Sequence, residues 1–186
     1  MACPDPKILV SSGAGQRRAL FLDLEDTVIE PVSDGWVGVR AMNLHRLDAV
    51  VERFAPTELH LFSFAVHTPQ DLLSFERHVK DWLERRVGLE FTTALATPEI
   101  VSKCARQRRI AAELVTFSEV VDFWGKQEAF RLFLKTFAEE QREPGVDLAA
   151  VLLDDSVFNE TFSWPDLAVS AMQLRVDDVP PLGWAG

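Results

Sequence analysis

The residues in this sequence that could do chemistry fall at the ends of apolar runs. Asp23, Glu25, Asp26 and Thr27 follow the run Ala19 to Leu22 in "ALFLDLEDTVIEPV". Asp154 and Asp155 close "AAVLLDD", Ser63 closes "LHLFS", and Lys126 stands in "WGKQEAF". Carboxylates crowded at a strand mouth repel one another, so something must offset them. They are either a solvated strand end or helix cap, or they surround a cation or a reacting phosphate. Two acid-ended strands in one parallel sheet can converge, and convergent carboxylates suit a hard cation such as Mg²⁺, which takes oxygen ligands and keeps several waters.

The surrounding elements decide whether those ends meet. Residues 19–23 read as a strand buried on both faces, because the apolar run is continuous rather than alternating. Residues 42–54 place apolar side chains at helical spacing, and Pro56 stops them. A second strand is expected over 58–66. Pro69 opens a helix that runs to Gly88. Strands are expected over 89–96, 113–117, 147–155 and 167–174. Further helices are expected over 98–109 and 126–140, the last with Phe130, Phe133, Leu134 and Phe137 on one face. Residues 11–18 read as a loop, and 30–38 as a loop or a short hairpin. Strands and helices alternate, which implies an α/β fold with a mainly parallel sheet and helices on both faces, a three-layer Rossmann-like sandwich. Ligands of such sheets sit at the carboxyl ends of the strands, the edge that would carry Asp23, Ser63 and Asp154/Asp155.

The chain has 186 residues, 47% of them hydrophobic, which suits one domain with a core over about 19–175. Its formal net charge of -10 repels nucleic acid unless a local basic patch intervenes. No apolar run approaches the ~20 residues of a membrane span, and the N-terminus does not read as a signal peptide. Cys3 and Cys104 form no ligand cluster and read as free thiols of a reducing compartment. A soluble, cytoplasmic protein is the expectation, with its oligomeric state left open.

In order along the chain, these motifs resemble those of the haloacid dehalogenase-like (HAD) superfamily of phosphohydrolases, over residues 19 to about 160. "FLDLEDTV" is similar to the family's first motif, Ser63 to its second, Lys126 to its third and "VLLDD" to its fourth. The resemblance implies a Mg²⁺-dependent phosphatase with Asp23 as nucleophile, forming an aspartyl-phosphate. It implies Mg²⁺ on Asp23, the Glu25 backbone carbonyl and Asp155, with Asp154 behind them. Ser63, Thr27 and Lys126 would hold the phosphate, and Lys126 would keep Asp23 ionised. Residues 28–58 are too short for a large cap, so a capless or minimally capped site is expected. That suits a large phosphorylated substrate such as a nucleic-acid end or a phosphoprotein.

One position departs from the family pattern. Its phosphatases carry Asp two residues after the nucleophile, as general acid and base, where this chain has Glu25. Catalytic geometry is sensitive to about 1 Å, so a longer carboxylate bears on turnover more than on binding. Asp26 on an extended chain would point the other way. The alternative is therefore a degenerate member that binds a phosphorylated ligand or a partner protein. A flavodoxin-like binding domain would make the acidic strand ends a coincidence. Trp36 is either a flap over the site or an aromatic packed on the sheet edge. Lys103, Arg106, Arg108 and Arg109 are either a solvated helix face or a phosphate-backbone contact. The sequence has no P-loop, no dinucleotide fingerprint and no GxSxG elbow, and its four histidines read as ordinary structural residues.

Overall fold

The computed structural model describes residues 3–9, 15–32, 36–66, 68–92, 105–106, 109, 124–141 and 143–183. The strands are β1 (Arg17–Leu22), β2 (Glu58–Leu61), β3 (Leu148–Asp154), β4 (Glu160–Trp164) and β5 (Val169–Arg175). The helices are α1 (Leu44–Phe54), α2 (Pro69–Phe75), α3 (Asp81–Val87) and α4 (Lys126–Glu140), with a π-helical turn, Glu76–Lys80, joining α2 to α3. The sheet has five strands in the order β2-β1-β3-β5-β4, and every pairing is parallel except β4 with β5. This is a mixed α/β fold of the Rossmann-like kind.

Both faces of the central strands are buried, as their unbroken apolar runs require. Leu20, Leu22, Val151 and Leu153 pack into one cluster with Leu47 and Phe54 of α1 and Phe75 of α2. Ala19, Phe21, Ala150 and Leu152 pack into the other with Phe130, Phe133 and Phe137 of α4. Phe21 meets those three rings edge-on at 5.2, 5.7 and 5.8 Å. Removing such a buried ring costs about 3–5 kcal/mol. That aromatic seat fixes where α4 begins, and hence where Lys126 lies.

Several boundaries differ from the sequence reading. β1 begins at Arg17, because β3 extends its ladder over Arg17 and Arg18. β2 ends at Leu61, not near residue 66. Phe62 still donates to Leu22 O at 2.9 Å, but the Ser63 hydroxyl then accepts the Ala65 amide at 3.3 Å and turns the chain. The long helix expected after Pro69 forms, and its N-terminus carries a capping box between Thr68 and Asp71. Edge strand β4 was not expected; its side chains alternate between partly buried and exposed, in keeping with a one-sided edge. Of the strand expected over 89–96, Phe91 bridges Leu59 in parallel. Residues 93–96 of it, the strand over 113–117, most of the helix over 98–109, Lys103 and Arg108 lie outside the described residues. Among the described residues, no helix is long and apolar enough to cross a membrane.

Candidate functional site

Register brings the two acidic strand ends side by side. Leu22 pairs with Leu153 in the β1–β3 ladder, and the Asp23 amide donates to Leu153 O at 3.0 Å. Asp23 and Asp154 therefore leave the sheet as neighbours, although far apart in sequence. Carboxylate oxygens of Asp23, Asp154 and Asp155 all lie within 4.8 Å of one another. Asp23 and Asp154 are buried; Asp155 is half-buried.

Lys126 enters this group from the start of α4. Gly125, at φ 77 and ψ 153, begins α4 in a conformation that side-chain-bearing residues avoid. One residue later the Lys126 ammonium lies 2.8 Å from Asp23 Oδ1 and 2.5 Å from Asp154 Oδ2. The ammonium thus donates a charge-assisted hydrogen bond to each of the two buried carboxylates. Asp154 Oδ1 accepts from both the amide and the hydroxyl of Ser156, each at 2.8 Å. Ser156 was missed in the sequence; its position two residues after a strand-ending Asp, where an Asx turn forms, was the available signal. Thr27 Oγ1 donates to Asp23 Oδ2 at 3.0 Å, and the Ser63 hydroxyl also hydrogen-bonds Asp23. Ser63 additionally accepts the Leu24 amide at 3.3 Å.

The electrostatics are unbalanced, with three carboxylates against one ammonium. Burial pushes the Asp23 carboxyl up to about 6; the Lys126 charge opposes this and Asp154 adds to it. Asp155 is also raised, first by burial and then by Asp154. Lys126 is held above the usual lysine range by Asp23 and Asp154 despite its burial. An all-oxygen set of three carboxylates with excess negative charge fits a hard divalent cation.

The turn after Asp23 departs from the extended path. Leu24 O accepts from the amides of Thr27, Val28 and Ile29, and Asp26 sits at φ 56. Asp26 therefore does not lie on an extended chain, contrary to the expectation that placed it facing the other way. Asp26 is exposed in a left-handed turn, and its charge reaches Asp155. The Glu25 carboxylate accepts the Val32 amide at 2.6 Å. It ties the following loop to the strand end and lies outside the carboxylate cluster.

Trp36 is buried, with its ring 6.4 Å from that of Phe75, so it packs in the core rather than over the site. His60 is buried too, stacked on Phe21 at 4.7 Å, with Nε2 3.1 Å from Glu58 Oε2. Comparison of the chain with protein-family models, curated proteins and solved structures finds no match.

Proposed function

We propose that this chain is a Mg²⁺-dependent phosphohydrolase of the haloacid dehalogenase-like kind, with a three-layer, capless core and an aspartyl-phosphate intermediate. The observation that carries the reading is the meeting of Asp23, Asp154 and Lys126, drawn from two strand ends and one helix start. An oxygen of Asp23 attacks phosphorus, and the bond from phosphorus to the leaving oxygen breaks. Water then attacks the phosphorus of the aspartyl-phosphate, releasing phosphate and returning the Asp23 carboxylate. Dividing one displacement into two is what a nucleophilic carboxylate offers. Lys126 and Thr27 hold Asp23 in place, and Lys126 and Ser63 steady the phosphate oxygens as charge redistributes. Asp23, Asp155 and the Glu25 carbonyl would hold Mg²⁺, with Asp154 oriented behind them by Ser156. When bound, that ion offsets the carboxylate repulsion and lets a phosphate dianion approach. Glu25 serves as proton donor to the leaving oxygen only by releasing the Val32 amide.

That last contact favours a second reading, a chain that binds a phosphorylated ligand and does not cleave it. One experiment separates the two: hydrolysis of 4-nitrophenyl phosphate with and without Mg²⁺, beside Asp23→Asn. The phosphatase reading expects Mg²⁺-dependent turnover that falls at least ~1,000-fold in the variant. Calorimetric Mg²⁺ binding without turnover, together with activity gained in Glu25→Asp, would establish the binder instead.

A further inference from the structure

A groove of about 630 Å³ opens beside the carboxylate cluster, a size proper to a small-molecule site. It is continuous with the cluster through two residues. Lys126 lines it and touches Asp23; Ser156 lines it and holds Asp154. Its remaining walls include Trp124, Gln127, Arg131 and Phe158. Phe158 is 75% exposed, an unusual state for a large ring next to a charged site.

That exposure is imposed by the backbone. Val157 before it is buried, and the Phe158 amide donates to Gln127 Oε1 at 3.3 Å. Asn159 after it accepts the Arg175 amide at 2.8 Å and donates to Asp178 at 2.7 Å. The ring is thus held out into the groove by anchors on both sides. The charged groups of this wall are engaged with one another. Glu160 takes Gln127 at 2.6 Å and a close ion pair from Arg131, and Arg131 lies over the Phe162 ring at 5.0 Å. The groove therefore offers aromatic surface to whatever enters beside the phosphate.

We propose that this groove is the leaving-group subsite, and that the ligand is a phosphate monoester whose alcohol carries a planar aromatic ring, stacked on Phe158. The inference rests on the phosphate-binding reading of Asp23 and Lys126 given above. Base-on-aromatic stacking typically supplies a five- to hundredfold gain in affinity. Calorimetric titration of phenylphosphonate and methylphosphonate in Mg²⁺ tests it. The expected result is phenylphosphonate binding about 5- to 100-fold tighter, with the preference collapsing in Phe158→Ala and surviving in Phe158→Trp. Adenosine 5′-monophosphate and phosphotyrosine, titrated into Asp23→Asn protein, then tell a nucleobase from a phenol ring as its source. Equal affinity for the two phosphonates, or a phenyl preference that outlasts Phe158→Ala, overturns this inference alone. Binding of neither overturns the phosphate-site reading with it.

Discussion

The two ends of β1 carry ion networks of opposite character. At its start, Arg17 clasps Glu58 with two hydrogen bonds, 2.6 and 2.9 Å, and Glu58 also meets His60. The Arg17 hydrogen bonds, with help from His60, hold the Glu58 carboxyl down at about 2. Just past its end, Asp23, Asp154 and Asp155 share one ammonium, and burial lifts the Asp23 carboxyl to about 6. The first network is balanced and joins two parallel strands. The second retains an excess of negative charge, a condition that clusters where folds place reactive groups. Ion pairing alone does not mark a site; an unbalanced set in a buried strand mouth is the more informative sign.

The largest test of this contrast is Lys126→Met, which leaves two buried carboxylates without their cation. In EDTA at pH 7, urea unfolding should show a loss of about 3–5 kcal/mol, partly recovered on adding Mg²⁺. A loss below about 1 kcal/mol would make the site as balanced as the Arg17 end.

A pH series sharpens the comparison, because the two carboxylates act with opposite sign. Asp23 moves from an ordinary 3.8 to about 6 on folding, so in metal-free protein it weakens stability as pH rises from about 4 through 6. Glu58 moves from 4.5 to about 2, so its contribution is full above 4.5 and is lost as pH falls toward 2. Urea midpoints in EDTA should therefore lose their fall between pH 4 and 6 in Asp23→Asn, an effect of up to about 3 kcal/mol. They should lose part of their acid-side rise in Glu58→Gln. Shifts of the same sign in both variants would remove the distinction.

The smallest expected effect is Arg17→Met. Its pair with Glu58 is partly solvated, so a loss of about 1 kcal/mol is expected at pH 7. Mg²⁺ affinity should not change, since the pair lies at the other end of the strand. A change in Mg²⁺ affinity would show that the two ends are coupled through β1.

Much of this arrangement was legible in the chain itself. Continuous apolar runs marked β1 and β3, helical spacing marked α1 and α4, and Pro69 with Gly88 bounded the helical segment between β2 and Phe91. These signals are local: they follow from backbone sterics, side-chain periodicity and the chemistry of proline and glycine. The acids ending two strands and the lysine opening a helix were equally visible. Tertiary structure decided what those groups touch. The convergence of Asp23, Asp154 and Lys126 depends on the β1–β3 register and on Phe21 seating α4, both long-range contacts. The left-handed turn at Asp26 redirected the carboxylates that follow Asp23, and the Glu25 side chain went to the Val32 amide. Edge strand β4, the burial of Trp36 and the outward Phe158 depend on which neighbours cover each residue, which composition and spacing do not encode.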